Sequence, residues 1–203
     1  MGAKAGLVYL GEGLPVDALK AAPAPDEERS AALADTVLGD YVANAGTRVL
    51  GEDGLWPEPG TICAAAYDDF ALIGYREIGP DRPSEITEWI NAVSPSGGAC
   101  GVFMHSVIDY GAFAIWEDGR VRRSISLASD PGVMEDLGDR CQFETPFWSG
   151  DRAMEDGYPL PFHPLEFGEA ALLAFFGFGI EGFPPEYEID PHRYAIPAFR
   201  PAD

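Results

Sequence analysis

Apolar and polar positions alternate most clearly between residues 100 and 127, where two runs rich in β-branched and aromatic residues flank Asp118-Gly119. Asp-Gly tolerates the positive φ angles of a type I′ two-residue loop, so the segment predicts a β-hairpin. Counting outward pairs Glu117 with Arg120, Trp116 with Val121, Ala114 with Arg123, Ala112 with Ile125 and Tyr110 with Leu127. Successive pairs point to opposite sides of a sheet. That register puts Tyr110, Ala112, Ala114, Trp116, Val121, Ile125 and Leu127 on one apolar face, interrupted by Arg123. Asp109, Phe113, Ile115 and Glu117 share the other face with Arg120, Arg122, Ser124 and Ser126.

The pattern elsewhere is coarser. Residues 3–10 are apolar after Lys4 and predict a strand buried on both faces, ended by Gly11-Glu12-Gly13. Residues 15–22 and 25–38 are helical; the second segment has Pro25 at its start, acids in the first turn and Gly39 as a stop. Residues 47–50, 61–66 and 70–75 predict short strands. Ile86, Trp89, Ile90 and Val93 make one helical stripe over 83–93. Residues 128–163 predict a long irregular loop, Pro164 opens a last helix, and the proline-rich tail at 179–203 is expected to wrap the surface. The order predicts a single domain over 1–203 of α+β or mixed α/β class. Its mixed or antiparallel sheet would include a central hairpin at about 100–127 and be packed by helices.

Composition narrows the partners. Against thirteen basic residues stand thirty-four acidic ones, a net charge of -21 that repels nucleic acid and anionic membranes. No run approaches the roughly 20 apolar residues of a membrane span, and MGAKAGLVYL lacks a signal-peptide core. These features predict a cytoplasmic protein. Lys4 and Lys20 stand beside eleven arginines, with abundant Ala, Gly, Pro and Asp, which suggests a GC-rich bacterial coding sequence. Cys63, Cys100 and Cys141 are odd in number and far apart, which predicts reduced thiols, no disulfide framework and no metal.

Candidate chemistry is sparse. GEG after the first strand lacks the third glycine of a dinucleotide fingerprint, because Val16 stands there, and no GK[ST] follows, so no cofactor is expected. His105 and Asp109 are four apart at the hairpin's edge and suit a general base with its carboxylate. His163 precedes a helix that carries Glu166 in its first turn and Glu169 beyond. Those residues suit an acid/base pair, or simply a carboxylate complementing the helix dipole. Arg123 needs an acid among Glu135, Asp136, Asp139 and Glu144, or else binds an anion, as Arg122 could. Phe147, Trp148 and Tyr158 give the long loop an interface composition. Two functions compete. One is a non-enzymatic protein-binding or regulatory module. The other is a small hydrolase or transferase whose site joins His105 and Asp109 to His163 and Glu166, which requires the histidines to converge on one ligand.

The opening MGAK, the HSVIDYGAFAIWEDGRVRRSISL hairpin, PFWSG and YPLPFHPLEFGEAAL together resemble a single-domain family of high-GC Gram-positive bacteria classed as a domain of unknown function. The resemblance implies one soluble domain and assigns no activity.

Overall fold

β1 (Lys4–Gly11) is buried along its whole length after Lys4, and it lies in the middle of a nine-stranded antiparallel sheet. The computed structural model describes residues 2–21, 24–155, 157–181 and 186–202. Its remaining strands are β2 (Val42–Val49), β3 (Ile62–Ala66), β4 (Phe70–Gly74), β5 (Ala99–His105), β6 (Tyr110–Glu117), β7 (Arg120–Ala128), β8 (Gly132–Leu137) and β9 (Ala195–Pro201). They run in the order β2-β9-β3-β4-β1-β5-β6-β7-β8. The helices are α1 (Pro15–Ala21), α2 (Glu27–Leu38), α3 (Thr87–Val93), α4 (Thr145–Trp148) and α5 (Pro164–Phe176).

An antiparallel sheet often leaves one face wet, but the apolar runs of β1, β3 and β5 require cover on both. On one face Leu7, Tyr9, Val102, Met104, Phe113 and Ile125 pack with α1 and α5 through Leu19, Phe167, Leu172 and Phe176. On the other, Val8, Leu10, Phe103, Ala112, Ala114 and Trp116 pack with α2 and α3 through Ala34, Ile90 and Val93. The fold is therefore an α+β sandwich of helices about one sheet. Helix signals read from the sequence have physical counterparts. Asp26 caps α2 by accepting from Arg29 N–H, and Gly39 ends it in the left-handed region.

The hairpin turns at Asp118-Gly119, with φ of 50° and 72°, and Trp116 faces Val121. Beyond that pair the predicted register is corrected. Arg122 is an extra residue, so Ile115 faces Arg123, Ala114 faces Ser124 and Phe113 faces Ile125. A one-residue bulge sends every later side chain to the opposite face. Ile125 and Leu127 thus join Phe113 under α5, while Ser124 and Ser126 are buried on the Trp116 face.

Three further expectations are corrected. The hairpin lies toward one side of the sheet, with only β8 beyond it. The segment read as an irregular loop contains β8 and α4, and its Asp136 and Glu144 serve the buried Arg123 instead of solvent. The tail read as a surface wrap contributes β9, inserted between β2 and β3.

Candidate functional site

α5 begins against β6. A Cβ at Gly111 would lie 2.1 Å from the carbonyl oxygen of Pro164, so only glycine permits that approach. His163 is the N-cap of α5, its Nδ1 accepting the N–H of Leu165 at 3.2 Å, with Pro164 in the first turn. The neutral ring therefore carries its proton on Nε2. That atom faces Asp109 Oδ1 at 4.0 Å, and Tyr158 stacks on the ring at 5.7 Å. Asp109 sits in the β5–β6 turn at a φ of 44°. The Tyr158 hydroxyl is enclosed without a partner among the described residues, and burial, then the Asp109 charge, raises its pKa.

His163 and Glu166 open a groove along α5 with a volume of about 650 Å³. Phe143, Phe147, Leu165 and Leu173 supply apolar walls, while Glu166, Glu169 and Glu181 supply carboxylates, with Arg152 also present. Glu169 is the buried member of the three. Its Oε2 accepts the N–H of Ile180 at 2.8 Å, whereas Oε1 is enclosed without a hydrogen bond among the described residues, and burial raises its pKa.

The predicted pair of His105 and Asp109 is not brought together; Asp109 meets His163 instead. His105 shares the Phe103 face of β5, opposite Met104, and contacts Trp56 edge-on at 5.3 Å, in a different cavity from that of His163. Arg122 pairs with Glu117 at 3.1 Å near the surface. Arg123 is wholly buried. Its Nε and Nη2 hold both oxygens of Glu144, at 2.9 and 2.6 Å, and Nη1 reaches Asp136 and the carbonyl of Leu137. Glu144 also accepts from Trp148 Nε1 at 3.2 Å and from the Cys141 N–H at 2.7 Å. Arg140 lies 3.8 Å over the Trp148 ring. The carboxylates anticipated for Arg123 thus anchor the segment after β7 to the sheet, and Trp148 belongs to that anchor.

Nucleophiles are subdued. Burial pushes all three thiols up, Cys63 to about 12, and the cysteines are not crosslinked. Among the described residues no group of three His, Cys, Asp or Glu side chains has metal-ligand spacing, and no helix is long and apolar enough to cross a membrane. Sequence reasoning passed over Tyr158 as a neighbour of His163 and Trp56 as a neighbour of His105. The first has a signal in the Tyr-to-His spacing across a proline-rich turn; the second has none. Comparison with known proteins matches residues 5–199 to the model of a family described as a family of unknown function (DUF6928). No curated protein and no solved structure matches the chain.

Proposed function

The chain belongs to that family, and from its geometry we propose a single-domain, cytoplasmic binding or regulatory module whose recognition surface is the groove along α5. The observation that carries the reading is Glu169. A carboxylate oxygen enclosed without a donor is a liability that a bound cation removes. Apolar walls beside it suit an occupant with both characters. The proposed ligand is a segment of a partner protein that lays an aliphatic side chain on Phe143, Phe147 and Leu173 and brings a Lys or Arg to Glu169. The net charge of -21 supports a basic partner. His163 supports binding over catalysis, because its Nδ1 lone pair is held by the helix cap and Nε2 carries the proton. Uncrosslinked cysteines support a reducing compartment, and the preference for Arg over Lys supports an origin in high-GC Gram-positive bacteria.

The test is selection from a random peptide library on the native protein and on Glu169→Gln, an isosteric change that keeps the acceptor for Ile180. Enriched peptides should pair a basic residue with an aliphatic one and lose roughly tenfold or more in affinity on Glu169→Gln, the scale of a hydrogen bond to a charged group. No enrichment, or enrichment indifferent to the substitution, refutes the reading.

The approach of Asp109 to His163 beside the Tyr158 hydroxyl favours a second reading, a small hydrolase or transferase acting between the hairpin and the His163/Glu166 helix start. It requires His163 to release Leu165. His163→Asn keeps an excellent N-cap while removing the imidazole, so ester or phosphoester turnover that disappears in a folded His163→Asn protein would establish it.

A further inference from the structure

Cations in this chain have an abundance of carboxylates to choose from, thirty-four for thirteen Lys and Arg. Arg29, Arg48, Arg82, Arg122, Arg123, Arg140, Arg193 and Arg200 all take one. Lys20 takes one too, whereas Lys4, Arg76, Arg120 and Arg152 do not among the described residues, and of these Lys4 and Arg76 converge on the same ring. Lys4 Nζ lies 5.9 Å from the Trp56 centroid and the Arg76 guanidinium 5.2 Å from it. Two like charges around one indole, in a protein this acidic, are a local reversal of its electrostatics.

The fold builds that convergence deliberately. Lys4 on β1 is the strand partner of His105 on β5, and His105 is the partner of Tyr110 on β6, so the three stand side by side on one face of the sheet. Gly6 on β1 donates to the carbonyl of Leu55 and accepts from the N–H of Tyr75, which fixes the Trp56 loop and the Arg76 turn against the strand. A Cβ at Gly6 would lie 2.3 Å from the Tyr75 carbonyl oxygen, so only glycine allows the turn this close. Between these elements lies a cavity of about 290 Å³ whose lining includes Trp56, Arg76, Asp81, His105 and Tyr110; Lys4 is not in the lining and reaches the site through the Trp56 ring. The Tyr110 hydroxyl is committed to the carbonyl of Pro80. His105 Nδ1, by contrast, is enclosed and reaches no hydrogen-bond partner among the described residues. Buried polar atoms are ordinarily satisfied, so an orphan beside two cations that have only the Trp56 ring in place of a carboxylate calls for a missing acceptor.

We propose that Lys4, Arg76 and His105 form, around Trp56, a binding site for a small ligand bearing an oxyanion, a phosphate monoester or a carboxylate. Arg76 offers a planar fork and Lys4 a point charge, the two modes in which proteins hold such groups. His105 donates from Nδ1 once the anion is present. The volume, at the small end of ligand pockets, suits a small anion, and the acidic surface repels nucleic acid. Remote carboxylates do not forbid a small anion, since at physiological ionic strength charges beyond about 8 Å are largely screened; Asp81, in the lining, opposes it and is outnumbered there by Arg76 and Lys4. This site is separate from the α5 groove, so its failure leaves the peptide-binding reading untouched.

The test is a titration of the ¹⁵N-labelled full chain, following the Trp56 indole N–H resonance, identified by its loss in Trp56→Phe. Phenyl phosphate, inorganic phosphate, benzoate and acetate are added in separate arms at constant ionic strength, with chloride as the control. A saturable shift is expected with the phosphate arms or with the carboxylate arms at low-millimolar concentration or below, about -4 kcal/mol or better. The arm that saturates identifies the class. Lys4→Gln with Arg76→Gln should weaken binding roughly tenfold or more, and Asp81→Asn, which removes the carboxylate from the cavity lining, should tighten it. No saturable shift in any arm overturns the proposal. So does a shift that survives the double substitution in a variant whose circular dichroism melt shows it folded, or one that Asp81→Asn weakens.

Discussion

Arg123 is the residue on which the C-terminal side of the sheet depends. Its guanidinium and Glu144 are both fully buried, so each is tolerable only because of the other. Replacing Arg123 by Met leaves an uncompensated carboxylate inside and should destabilise by about 3–5 kcal/mol. Adding Glu144→Gln neutralises that carboxylate and keeps one oxygen acceptor, enough for the Cys141 N–H or the Trp148 indole. Urea unfolding should then find the double variant more stable than Arg123→Met alone; the reverse order would mean the pair is not coupled as described. His105 gives a pH signature. Burial, then Lys4 and Arg76, holds its pKa below the ordinary 6.5, and Asp81 is the acidic group on the same cavity. The unfolded chain therefore binds a proton that the folded protein refuses. Stability from this group is full above pH 6.5 and falls as the pH drops through that value. His105→Gln should reduce the difference in urea midpoint between pH 7.5 and pH 5.5, and an unchanged difference would contradict this account. Residue-scale chemistry was only partly legible in the sequence. Arg123 announced itself as a charge in an apolar strand, and its partners came from the acids that follow. The meeting of Asp109 with His163 did not, because it joins a β-turn to a helix cap more than fifty positions away and nothing local encodes it.

At the scale of elements, turn chemistry and capping were legible because they are local. Asp118-Gly119 set the hairpin, and Asp26 and Gly39 set the ends of α2. The bulge at Arg122 was not legible. It is selected by where Arg123 must go to meet Glu144, which is tertiary information. β9 was hidden by Pro197 and Pro201, which argue against an interior strand. The structure accommodates them because β3 pairs only with Ala198 and Phe199, leaving Pro197 opposite β2 alone. A charged clamp holds this strand. Glu58 takes Arg48 of β2 at 2.7 Å and Arg200 of β9, and the Arg48 hydrogen bond is the largest reason that its pKa falls to about 2. A depressed carboxylate gives stability that is present above pH 4.5 and lost as the pH falls through about 2. Glu58→Gln should therefore melt below the native protein at pH 7, with the gap closing toward pH 2. A gap independent of pH would show that the clamp is not ionic.

The whole molecule carries a net charge of -21 on 203 residues, and self-repulsion opposes its compact state. Screening relieves it. Raising NaCl from about 0.02 to 0.5 M shortens the Debye length several-fold, so the melting temperature should rise; each 1 kcal/mol gained appears as about 2–4 °C in a protein of this size. A fall would mean that the ion pairs, which salt weakens, outweigh the repulsion. The insertion of β9 between β2 and β3 has a consequence during synthesis. β2 is completed early, yet its strand partner is made about 150 residues later. At about 5–20 residues per second the ribosome takes roughly ten to thirty seconds to deliver it. Through that interval β2 has no strand to pair with and β3 presents an open edge, so the nascent chain is a client for whatever shields unpaired strands in the cell until its last segment threads into place.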